Sequence, residues 1–234
     1  MSATGRISRV LTVAFLLGTA SNARAADDGA WSVSKSSGEV WRSTTGAQPV
    51  SLGREEVLKP GDSIRTGRTG RVLLVRGEET ILISPNSVIG LPLEKKEGLA
   101  TTIVQQAGSI LLEVEKRNVR HFEVETPYLA AVVKGTQFRV TVNATATSVN
   151  VLKGQVQVAD FKSGQIAQVM PGQSATAFAQ GNSGISLSGS GTFSPIERGQ
   201  PRAPTVDRVP VPKLGLTAPR HAANAGYWSV SKKR

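Results

Sequence analysis

Glu123-Val124-Glu125-Thr126-Pro127-Tyr128-Leu129-Ala130-Ala131-Val132-Val133-Lys134-Gly135-Thr136-Gln137-Phe138-Arg139-Val140 is the stretch that decides the fold class. It consists of β-branched runs joined through a Thr-Pro break and a Gly-Thr turn, with no acid/base pair and no metal-ligand set inside it. Pro127 removes a ladder donor and so ends one strand, while Gly135 lets the backbone take a positive φ where the next begins. From Gln137 to Val142 the residues alternate: Phe138, Val140 and Val142 share one face, Gln137, Arg139 and Thr141 the other. That pattern predicts a half-buried strand with one wet side.

The same grammar extends outward from Trp31 to Phe178, in runs such as Val72 to Val75, Thr80 to Ile83, Ile103 to Gln106, Ile110 to Val114, Val149 to Leu152 and Gln155 to Ala159. Gly, Pro, Asn and Ser punctuate them, and no segment sustains a capped helical period. Glu94 to Ala100 comes nearest, but Gly98 interrupts it and it reads as a polar loop. The expected fold is all-β, with many short strands stacked as a solenoid-like or flattened sandwich domain. An internal echo supports stacking: Leu58-Lys59-Pro60-Gly61-Asp62-Ser63 returns as Val169-Met170-Pro171-Gly172-Gln173-Ser174, each copy after a Gly-x-Val strand. Pro followed by Gly favours a type II turn, so each copy ends one strand and aims the next.

Four blocks, in order, resemble the periplasmic domain of the FecR family: Gly38-Glu39-Val40; Gly61-Asp62-Ser63-Ile64-Arg65-Thr66 with Gly70-Arg71-Val72; Thr126-Pro127; and Val133-Lys134-Gly135-Thr136-Gln137-Phe138-Arg139-Val140. The likeness runs over residues 38 to 178 and marks Pro60, Gly61, Asp62, Thr66, Gly70, Thr126, Pro127, Gly135, Thr136 and Phe138 as turn and strand positions. It implies an all-β module in cell-surface signalling that contacts an outer-membrane transporter's signalling domain and passes occupancy to a sigma factor. It also implies a cytoplasmic sigma-binding segment and a membrane span ahead of the domain. Here the residues ahead of it read as a signal peptide instead.

In that leader Arg6 and Arg9 precede the apolar run Val10 to Leu17, and Ala23-Arg24-Ala25 supplies an A-x-A site, so cleavage is expected between Ala25 and Ala26. The run is short for a bilayer span. The expected location is the periplasm. Domain bounds follow: residues 1–25 as signal peptide, 26–179 as the FecR-like body, and 180–234 as a Gly/Ser-rich and then Pro-rich basic linker and tail, whose composition predicts disorder. Against that reading of the tail, Trp31-Ser32-Val33-Ser34-Lys35 recurs as Trp228-Ser229-Val230-Ser231-Lys232. The repeat suggests that the second copy pairs along the sheet edge used by the first.

The 234 residues hold no cysteine, which excludes disulfides, a thiol nucleophile and lipoprotein attachment. Of the net charge of +11, three charges sit in the leader and a net six in residues 195–234, which leaves +2 for residues 26–194. The tail's charge suits weak, screened contact with anionic envelope surfaces. With a near-neutral body, no basic stripe interleaved with aromatics and export from the cytoplasm, nucleic acid is not an expected partner.

No enzyme motif is found, and neither a cofactor nor a metal is expected. His121 and His221 are too few for a His-rich metal site, and His121 is expected on a wet strand face beside Glu123 and Glu125. Glu55-Glu56, Glu78-Glu79 and Glu113-x-Glu115 are expected in turns or exposed positions. Asp62 is expected to cap its own loop rather than bind calcium. The favoured reading is a soluble, non-catalytic periplasmic module that binds a protein partner. The alternative is an envelope-associated structural or glycan-binding scaffold tethered by its basic tail.

Overall fold

The computed structural model describes residues 29–205 except 45, 95, 182 and 183. The expected signal peptide, the second Trp-Ser-Val-Ser-Lys copy, His221 and the tail beyond residue 205 lie outside the described residues. Within them every regular element is a strand: β1 (Trp31–Ser37), β2 (Val40–Thr44), β3 (Val50–Ser51), β4 (Val57–Leu58), β5 (Asp62–Thr66), β6 (Arg71–Arg76), β7 (Glu79–Ile83), β8 (Val88–Gly90), β9 (Thr101–Glu113), β10 (Phe122–Glu125), β11 (Leu129–Val133), β12 (Gln137–Val142), β13 (Ala146–Lys153), β14 (Val156–Asp160), β15 (Gln165–Val169), β16 (Gln173–Phe178), β17 (Ile185–Gly189) and β18 (Glu197–Arg198).

The strands form two ladders joined through β9. The first runs β4-β1-β6-β7-β9-β12-β13-β16-β17. The second runs β3-β2-β5-β8-β9-β10-β11-β14-β15-β18. Every pairing is antiparallel except β9 with β10. The chain lays hairpins alternately into the two ladders: β10–β11 in the second, β12–β13 in the first, β14–β15 in the second and β16–β17 in the first. This is the layered, solenoid-like all-β architecture that the alternating runs predict.

The runs at Ile103 and Ile110 belong to one strand, β9, whose first part pairs in the second ladder and whose later part pairs in the first. Gly108 makes the switch: it has φ +84°, and a Cβ there would lie 2.2 Å from Ser87 Oγ. Buried side chains alternate along the strands of both ladders and join one apolar cluster, with Phe122, Phe138, Ile81, Leu112 and Val149 fully enclosed. Each such side chain contributes on the order of 1.5–3 kcal/mol by leaving water.

Three expectations are corrected. His121, Glu123 and Glu125 do not face solvent: they are 3%, 3% and 0% exposed. They do take the outer side of their strand, but other segments cover it. Glu79, expected in an exposed turn, is likewise buried, gripped by Arg76 Nε at 3.0 Å and Nη2 at 2.5 Å. Finally, the β body does not end at residue 179. Ile185 and Leu187 present alternate apolar side chains that let β17 extend the ladder along β16, and Glu197 and Arg198 pair with Ile166 and Gln165.

Candidate functional site

The motif turns are built by side chains that cap their own backbones. After Pro60, with Gly61 at φ +90°, Asp62 accepts from Lys59 N at 2.8 Å and from Thr44 Oγ1 at 2.6 Å. In the echo, Gly172 has φ +80° and Gln173 Oε1 accepts from Met170 N at 3.1 Å, so a longer side chain reaches the equivalent donor. Thr66 Oγ1 donates to Ser84 O at 2.7 Å and accepts from Ser87 N at 2.9 Å. Gly70 lies so close to Glu39 that a Cβ would meet its carbonyl oxygen at 2.1 Å, which packs the Gly38-Glu39-Val40 block against the Gly70-Arg71-Val72 block.

A second group of motif residues surrounds β10 and β11. Thr126 and Pro127 make the turn between them; Thr126 Oγ1 donates to Leu129 O at 2.8 Å and accepts from Leu129 N at 3.1 Å. Beyond β11, Gly135 (φ +147°) lies against Lys116, whose Cα would be 2.2 Å from an added Cβ. Thr136 Oγ1 donates to Gln155 O at 2.9 Å, and Phe138 is wholly buried. These residues shape the scaffold, and none of the motif positions forms a reactive constellation.

The concentration of buried charge lies on the outer face of β10, where the sequence reading placed only solvated residues. Glu123 is paired with Lys96 Nζ at 3.1 Å and with Arg202 Nη2 at 3.1 Å. Glu125 is paired with the same Lys96 amine and accepts from Thr205 N at 2.6 Å and Thr205 Oγ1 at 2.8 Å. Burial by itself would raise the Glu125 carboxyl. The hydrogen bonds from Lys96 and from the Thr205 side chain and backbone, with the charge of Lys96, nevertheless hold it below its ordinary value. Cross-strand register sets Glu125 opposite Ala130 and Ala130 opposite Ala159, so two small side chains continue the row.

The cover over this face is the segment from β18 to Thr205. Gly199 N donates to Gly164 O at 2.8 Å and Arg202 N to Phe161 O at 3.0 Å, while the Arg202 guanidinium sits 4.6 Å over the Phe161 ring. Beside it a cleft of about 280 Å³ is lined by Pro127, Tyr128, Phe161, Phe178, Arg202 and Pro204.

A separate chain of buried polar contacts runs from the β6–β7 turn to β10. Arg76 holds Glu79, donates to Thr101 Oγ1 at 2.6 Å and lies 4.4 Å over the Trp31 ring; Trp31 meets Phe122 edge-on at 6.5 Å. His121 Nε2 is 3.5 Å from Glu79 Oε1. Among the described residues no group of three or more His, Cys, Asp or Glu side chains is placed to hold a metal ion. The covering segment and both carboxylates escaped the sequence reading. The available signal was an acidic residue at alternate positions of a strand with apolar outer neighbours, Ala130 and Val132.

Residues 62–157 match the family model described as FecR protein. Two crystal structures of a candidate anti-sigma factor from Parabacteroides distasonis ATCC 8503, at 1.65 Å and 2.50 Å, are similar at 17% identity and a TM-score of 0.47. In each case the match covers 54% of this chain and 59% of that chain, so this chain spans under two thirds of the solved one. No curated protein matches. The matched region takes in Lys96, both buried carboxylates and the Thr126-Pro127 turn, whereas the covering segment lies outside it; over residues 62–157 this chain is similar to the FecR protein family.

Proposed function

We propose that this chain is a non-catalytic regulatory module that works by protein contact in cell-surface signalling, after export to the periplasm through cleavage between Ala25 and Ala26. The similarity to the FecR protein family over residues 62–157 carries this reading. It is supported by how the buried acids are used. Asp62 caps a turn, Asp160 accepts from Ser163 N at 2.7 Å, Glu79 is clasped by Arg76, and Glu123 and Glu125 hold two distant segments. A carboxylate committed to such contacts shapes a surface rather than transferring protons.

The partner the family likeness implies is the signalling domain of an outer-membrane transporter. Affinity capture by the mature chain from an envelope extract tests this. Saturable enrichment of a transporter-derived signalling domain is the expected result. Enrichment with cell-wall glycan alone would favour the tethered scaffold instead.

A further inference from the structure

Two carboxylates on the outward face of a β-strand are ordinarily solvated. Glu123 and Glu125 are instead enclosed by a segment about 80 residues further along the chain, and that segment is itself almost entirely exposed. Its ladder to β15 has two residue pairs, Gln165 with Arg198 and Ile166 with Glu197. Beyond these it is held by backbone bonds to Gly164 and Phe161, by Arg202 and by Thr205. Polar contacts made at a water-exposed strap gain little over contacts with water and must offset the entropy of ordering the chain. Such a strap is displaceable, while the carboxylates beneath it need its donors.

The strap also shows what the face accepts. Without it, the Lys96 amine is the one cation that the two buried carboxylates share among the described residues. Arg202 supplies the second cation, flat over Phe161, and Thr205, three residues on, supplies a hydroxyl and an amide donor. A guanidinium suits that position better than an ammonium because it stacks on the ring while donating to the acid. On the same outer face, Thr102 stands opposite Glu123, and its Oγ1 is buried with no hydrogen-bond partner among the described residues. The adjoining cleft, with Phe178 37% exposed, leaves room that the strap does not fill.

We propose that the outer face of β10 is a peptide-docking groove for an extended partner segment carrying arginine followed three residues later by serine or threonine, and that residues 197–205 occupy it as an intramolecular competitor. This rests on the reading that the chain acts by protein contact, and it deepens that reading by naming the face and the chemistry. The FecR-like region supplies the groove and the segment outside the family match supplies the plug.

A labelled peptide with the sequence of residues 196–206 serves as the probe, titrated against the full mature chain by fluorescence anisotropy. Replacing the exposed pair in the strap, Arg202→Ala with Thr205→Ala, should open the groove and lower the peptide's Kd at least tenfold relative to the unaltered chain. Adding Glu123→Gln and Glu125→Gln to the opened chain should abolish that gain. A peptide with its second arginine, the one matching Arg202, replaced by glutamate should not bind the opened chain, which keeps the test decisive if the glutamine variants fold poorly. Equal Kd for opened and unaltered chains, no binding to the opened chain, or equal binding of the glutamate peptide would each overturn the proposal. The assay needs no natural partner, so a negative result removes this groove while capture of a partner through another face would stand.

Discussion

At the scale of single residues, the fold depends on a few positions where backbone meets backbone. Gly135 is one: an added methyl at φ +147° meets Lys116 Cα at 2.2 Å. Gly135→Ala should therefore cost about 2 kcal/mol or more, read as a lower urea midpoint with an unchanged slope. Glu125 makes a pH-dependent contribution. Its carboxyl titrates below the ordinary 4.5 in the folded chain, so the unfolded chain binds the proton more readily. The stability it contributes is thus fully present above pH 4.5 and is lost as the pH falls through the folded value. Glu125→Gln should flatten the acid limb of Tm against pH, and an unchanged limb would mean that Lys96 and Thr205 do not hold the ionised form. The cap at Asp62 was legible in sequence because Pro-Gly-Asp encodes its own turn, and Thr126-Pro127 was legible as a strand break, though not the hydrogen bonds that Thr126 makes across it. The burial of Glu123 and Glu125 was not. Alternation assigns a residue to a face, but whether that face is wet depends on Arg202 and Thr205, far away in the chain.

Among elements, the short strands were readable wherever a two-residue period was bounded by Gly or Pro, as at β12 and β14. Two features of tertiary origin were not. One is the union of the Ile103 and Ile110 runs into β9, where Gly108 bends the strand between ladders instead of ending it. The other is the continuation of the body past residue 179, where Gly and Ser suggested a linker but Ile185 and Leu187 found a partner in β16. The strap should be the least protected of the paired elements. Hydrogen exchange should run orders of magnitude faster at Gly199 and Arg202 than at Ala131 and Val133, which lie between β10 and β14 in the centre of the second ladder. Comparable protection would indicate that the strap opens only with the whole body.

On the scale of the whole molecule, a near-neutral β body is joined to a strongly basic C-terminal region. The body presents surfaces fixed by its ladders, one of them acidic and self-covered. Export predicts a mature N-terminus at Ala26, to be read by mass spectrometry of the protein recovered from the periplasmic fraction; an intact Met1 form confined to the cytosol would contradict it. The central claim is that the chain acts through protein contact made by its β body. Photocrosslinking in living cells, with a reactive side chain installed in turn at Val50, Arg139, Leu152 and Ala203, tests it most directly. The account predicts a discrete adduct with one envelope protein from one face of the body, and adducts with cell-wall glycan alone, from every position, would contradict it.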